Sequence, residues 1–88
     1  NPDFKADRII MGYFSDDEKF LLKALDMVKE GGIIHYHNTI PEKSEPYLKK
    51  NIEMILSKKG RTLKPLYYRK IKKYSPGVWH IVFDFKVN

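Results

Sequence analysis

Two short apolar segments bracket one amphipathic helix: Ala6-Asp-Arg-Ile-Ile-Met-Gly-Tyr13 and Gly31-Gly-Ile-Ile-His-Tyr-His37. Strand, helix, Gly-Gly turn and strand is the layout of one parallel βαβ unit, since parallel neighbours can only be joined by a long crossover. An open sheet of such units carries a glycine-rich ligand turn after its first strand. No such turn precedes this unit. The chain therefore reads as the later half of a doubly wound domain, one partial domain over residues 1–88, and is expected to be part of a longer protein.

Between the two segments, Ser15 and Glu18 form a capping box, with Asp16 and Asp17 adding negative charge at a helix start. Phe20, Leu21, Ala24, Leu25 and Val28 recur at helical spacing, and Gly31-Gly32 is expected to stop the helix. Asn38 to Lys43 reads as a loop at the carboxyl end of the next strand. Ser44-Glu-Pro46 opens a second helix with apolar positions Leu48, Ile52, Ile55 and Leu56, closed by Gly60. Tyr47, Asn51 and Met54 extend or border that face.

Thr62 to Tyr74 alternates unevenly, as a strand with a basic outer face. Val78 to Val87 is rich in β-branched and aromatic residues and is a strand. Ser75-Pro-Gly77 between them is too short for a crossover helix, so these two strands form an antiparallel hairpin. The expected fold is α/β, order β-α-β-α-β-β, with parallel strands and a C-terminal antiparallel hairpin. That arrangement resembles the second half of a Rossmann-like class I methyltransferase sheet.

The chain has no cysteine, which excludes disulfides and thiolate metal sites and agrees with a cytoplasmic location. No apolar run approaches the roughly 20 residues that cross a bilayer, so no membrane partner is expected. Its net charge of +6 is unevenly placed. From Lys49 to Lys73 there are ten Lys/Arg and one acid, Glu53, while acids outnumber bases elsewhere. A polyanion is the partner such asymmetry suggests, nucleic acid first. The competing reading is a solvated lysine-rich face.

Within that stretch, Tyr67 to Tyr74 interleaves aromatic and cationic residues, which suits phosphates and unstacked bases together. It equally suits an edge strand guarded by lysines. The candidate RNA-binding set is Lys49, Lys50, Lys58, Lys59, Arg61, Arg69, Lys70, Lys72 and Lys73. His35 and His37 share one strand face, with Tyr36 opposite. They are candidates for substrate contact together with Asn38; with His80 on another strand, no metal site is expected. Gly12-Tyr13 falls where a strand end meets the ligand edge, as a close-approach glycine and a stacking ring. A strand-end turn with a packing aromatic is the plainer alternative. No catalytic residue is assigned.

Ala6–Tyr13, Phe20-Leu21, Gly31–His37 and Tyr74-Ser-Pro-Gly-Val-Trp-His-Ile-Val-Phe-Asp84 together resemble the C-terminal half of the transferases that modify guanosine 37 of tRNA. That superfamily holds the guanine-37 N1-methyltransferase and the wybutosine-pathway aminocarboxypropyltransferase. The first has an Asn-Leu-Pro type sequence at the first strand end here; Met11-Gly12-Tyr13 looks more like the second. The resemblance implies S-adenosylmethionine as co-substrate, tRNA as partner, and transfer of the 3-amino-3-carboxypropyl group, with methyl transfer as the alternative. It places Gly12 and Tyr13 at the cofactor. The glycine loop and acidic strand that hold the cofactor in that family have no counterpart here, so the 88 residues alone are expected to be inactive and to self-associate through a bared sheet edge. A non-catalytic RNA-binding module and a structural α/β fragment are the alternatives of other classes.

Overall fold

The computed structural model describes residues 5–11 and 17–88. Gly12, Tyr13 and the expected capping residue Ser15 lie outside them. The elements are β1 (Ala6–Met11), α1 (Asp17–Met27), β2 (Val28–Pro41), a 3-10 helix (Glu42–Tyr47), α2 (Leu48–Ser57), β3 (Leu63–Ser75) and β4 (Val78–Val87). The four strands form one mixed sheet in the order β1-β2-β4-β3.

Composition decides that order. The Ser-Pro-Gly turn makes β3 and β4 antiparallel neighbours, with Gly77 at φ +74° completing it. β3 carries too many cations to be buried between two strands, so it takes the edge, and the apolar β4 takes the interior place beside β2. β4 pairs with β2 antiparallel from Gly32↔Val87 to Pro41↔Val78. Only β1 and β2 pair in parallel. The expected parallel strands and C-terminal hairpin are present in a mixed sheet: β1, β2 and β3 run one way, but β4 is inserted between β2 and β3 and runs against them, so β2 and β3 are not neighbours.

Both helices cover one face of the sheet. Ile34, Tyr36 and Ile40 of β2 and Ile81, Phe83, Phe85 and Val87 of β4 are buried there against Leu21, Ala24, Leu25 and Val28, and Ile52 and Leu56 of α2. Each fully buried aliphatic side chain contributes roughly 1.5–3 kcal/mol. The α1 stripe differs from expectation at two positions: Phe20 is exposed, and the buried Val28 is the first residue of β2. The helix ends at Met27, before the glycines. Gly31, at φ +81°, and Gly32 lie inside β2, where the pairing with β1 slips between Ala6 and Arg8. They serve an irregular strand start, not a helix stop.

β3 is exposed along nearly its whole length. Its register against β4 shifts at three places, leaving Leu66, Ile71 and Tyr74 as extra residues. These bulges explain the uneven alternation in the sequence, and they twist an edge strand away from further pairing.

Candidate functional site

The carboxyl ends of β1 and β2 define the ligand edge of an open α/β sheet. Met11 pairs with Tyr36, and β2 runs on to Pro41 beside the hairpin turn. The Glu42 N–H donates to the Gly77 carbonyl at 2.7 Å, so the 3-10 helix, the start of α2 and the hairpin turn gather at this end.

Strand alternation separates the three expected substrate residues. Asn38, only 7 % exposed, points into the helix-covered face, where its Nδ2 donates to the Tyr36 hydroxyl at 3.1 Å. Its Oδ1 accepts from the Thr39 N–H at 2.8 Å. His35 and His37 point to the opposite face, which carries no helix among the described residues. There Arg8 Nη1 lies 3.2 Å from His35 Nε2, and His35 Nδ1 lies 2.9 Å from Asp84 Oδ1. A guanidinium can only donate, so Nε2 accepts, and Nδ1 carries the proton given to Asp84. The row Arg8–His35–Asp84 ties β1, β2 and β4 together and occupies both ring nitrogens. Among the described residues no cluster of three or more His, Cys, Asp or Glu could hold a metal.

The nine candidate cations divide into two groups. Lys58 and Lys59 bind Glu18 at 2.7 Å and Asp26 at 3.3 Å, and Arg61 donates to the carbonyls of Leu25 and Lys29 at 2.9 and 3.4 Å. These three fasten the end of α2 to α1. Lys49 and Lys50 lie in the first turn of α2, and Arg69, Lys70, Lys72 and Lys73 lie in the half of β3 nearest the hairpin turn. Of this second group, Lys70 is held by Glu45 at 3.1 Å, with its ammonium 4.9 Å from the centre of the Trp79 ring. The others make no ion pair among the described residues.

Glu45 also accepts a hydrogen bond from the Tyr68 hydroxyl at 2.5 Å. That bond, and then Lys70, hold the Glu45 carboxyl below its ordinary value against the opposing effect of burial. Burial, and then the same carboxylate, push the Tyr68 phenol up. Glu45, Leu48, Lys49, Pro65, Tyr68 and Phe83 line a mostly apolar cleft of about 380 Å³ between the helices and β3.

Residues 1–63 match the family described as the TRM5/TYW2 methyltransferase domain. The chain belongs to that family. It is 47 % identical over 85 residues to the tRNA(Phe) (4-demethylwyosine(37)-C(7)) aminocarboxypropyltransferase of Pyrococcus horikoshii, covering 93 % of this chain and 30 % of that protein. It is 36 % identical over 86 residues to the tRNA (guanine(37)-N(1))-methyltransferase Trm5b of Pyrococcus abyssi, covering 96 % of this chain and 26 % of that one. The chain thus spans about a third or less of the length of the curated relatives it matches. The solved structure of P. horikoshii TYW2 in complex with MeSAdo superposes with a TM-score of 0.84 at 47 % identity, over 93 % of this chain and 31 % of that one. A complex of aTrm5 with tRNALeu superposes at 0.73 and 35 % identity, over 98 % and 24 %.

Within this TRM5/TYW2 domain, the Glu45–Tyr68–Lys70–Trp79 cluster was not legible as a unit in the sequence. Its members are spread over 35 residues, and only the aromatic-cation alternation of β3 hinted at it. The Asn38–Tyr36 bond was hidden for another reason: Asn38 reads as the start of a loop, whereas β2 runs on to Pro41 and strand alternation then puts the two residues on one face.

Proposed function

We propose that this chain is part of a tRNA-modifying transferase that moves the 3-amino-3-carboxypropyl group of S-adenosylmethionine to C7 of the guanosine-37 derivative of tRNA. One observation carries this reading: identity is higher to the P. horikoshii aminocarboxypropyltransferase, 47 %, than to the P. abyssi N1-methyltransferase, 36 %. Met11-Gly12-Tyr13, in place of an Asn-Leu-Pro type sequence, supports the same branch. Methyl transfer is the second reading, favoured by the Trm5b relative itself. The fold reading goes with this: the sheet is the second half of a Rossmann-like class I methyltransferase sheet.

The described residues do not by themselves make a cofactor site. Tyr36 and Asn38 offer a hydroxyl and an amide beside the end of β1, but they bond to one another, and the nearby Glu18 carboxylate is paired with Lys58. No glycine turn stands among them to cradle the co-substrate. No chemical step is therefore assigned to these residues. Their proposed contribution is to position tRNA: Lys49, Lys50, Arg69, Lys72 and Lys73 attract its phosphates at the ligand edge. We read Tyr36 and Asn38 as framing the base, Gly12 and Tyr13 as meeting the co-substrate, and His35 as a cross-strand tie.

The test is the full-length protein with tRNA and S-adenosylmethionine carrying label either in the carboxyl carbon or in the methyl group. Carboxyl label in the tRNA is expected. Methyl label alone would establish methyl transfer, and neither label would remove the transferase reading.

A further inference from the structure

The apolar cleft beside β3 is not accounted for by phosphate contacts. Its walls are Leu48, Pro65, Tyr68 and Phe83. The Tyr68 and Phe83 rings meet edge to face, with centroids 6.1 Å apart and planes at 76°. Because both line the cleft, aromatic surface is presented to it. At about 380 Å³ it lies at the small end of the range for ligand pockets, suited to one flat ring system. Its rim carries one cation without an ion pair, Lys49, and one carboxylate, Glu45.

We propose that this cleft holds one unstacked base of the bound RNA, with the adjoining phosphate on Lys49. This rests on the reading of β3 and α2 as an RNA-facing surface. Charge selects the occupant: the cleft lies between the unpaired cations of α2 and those of β3, which favours a polyanion over an apolar peptide. An aromatic wall grips any base through its face, as in single-strand binding. The polar edge is selected by Glu45. Its two oxygens take one bond each, from Tyr68 and Lys70, and a carboxylate has about four acceptor sites. The unused ones accept N–H from an amino-bearing base. Adenine, cytosine and guanine carry that group; uracil offers only its N3–H, flanked by two carbonyl oxygens that a carboxylate repels. The cleft therefore prefers the first three.

Fluorescence anisotropy with labelled oligo(A), oligo(C) and oligo(U) on the full-length protein tests this. Tyr68→Leu keeps an apolar wall and removes the ring; it is expected to weaken oligo(A) and oligo(C) roughly tenfold, the scale of one lost stack. The slope of log affinity against log salt should not change. Tyr68→Phe, which keeps the ring, should remain within about threefold of the parent, less than the loss of one stack, and so guards against a folding defect. Lys49→Ala should lower the salt slope by about one. Glu45→Gln should narrow the gap between oligo(A) and oligo(U). If Tyr68→Leu, folded by circular dichroism, binds all three like the parent, the cleft holds no base, while the RNA surface stands. If the parent binds none of them and no tRNA even at low salt, the RNA-facing reading itself fails.

Discussion

A Cβ added at Gly32 would lie 2.6 Å from Val28 Cγ2, 2.9 Å from the Lys29 carbonyl oxygen and 3.0 Å from that of Asp7. Two of these three neighbours are backbone, so they cannot swing aside. Gly32→Ala is expected to cost about 1–3 kcal/mol, the range for overpacking, read as a lower melting temperature. Gly60→Ala meets nothing within 4 Å and is penalised only by its φ of +68°, so it should cost less. Equal losses at the two positions would contradict the steric account. Glu45 gives a pH-dependent counterpart. Its carboxyl titrates lower in the folded protein than in the unfolded chain, so its contribution is complete above the ordinary value of 4.5 and is lost as pH falls through the folded value. Glu45→Gln should therefore cost about 1 kcal/mol at neutral pH, with the gap to the parent shrinking in acid. Urea unfolding at neutral and acid pH would show it; a constant gap would mean that the carboxylate charge contributes nothing.

Among the elements, the two ends of the basic stretch should respond differently. Arg61→Ala removes donors to two carbonyls near the end of α1 and should lower stability by about 1–2 kcal/mol, leaving the salt slope of tRNA binding unchanged. Arg69→Ala should leave the melting temperature unchanged and reduce that slope by about one. The reverse pattern would undo the division. Sequence reading grouped these residues because they are neighbours in a charge run; only the packing of α2 on α1 distinguishes an anchoring cation from a solvent-facing one. Most elements were legible; the exception is the expected loop Asn38–Lys43 and the helix start at Ser44, where β2 runs on to Pro41 and a 3-10 helix, Glu42–Tyr47, precedes α2. The 3.6-residue period of Leu21, Ala24 and Leu25 marks α1, and the β-branched run marks β4. The position of β4 between β2 and β3 follows from comparing the hydropathy of two strands, not from either alone. The glycine pair was misread because α1 ends at Met27, four residues before a positive φ appears in the strand.

At the scale of the whole sheet, one face carries both helices and the other carries none among the described residues. Ile10 in the edge strand β1 is 75 % exposed on that second face. Residues 1–88 in isolation are accordingly expected to associate at high concentration, seen as a rising mass in light scattering; a monomer throughout would count against it. Isothermal titration of the same stretch with S-adenosylmethionine should give no binding at micromolar concentrations. The strand order carries a consequence for biosynthesis. β4 is the last element of this stretch in the chain and fills an interior place in the sheet, so the core lacks Ile81, Phe83, Phe85 and Val87, and Ile34 and Tyr36 lack their cross-strand partners, until residue 87 has left the ribosome. Until then β2 and the lysine-rich β3 have no strand between them. A nascent chain stalled before Val78 should remain open to protease, and its exposed apolar face makes this stretch a candidate for chaperone capture during synthesis.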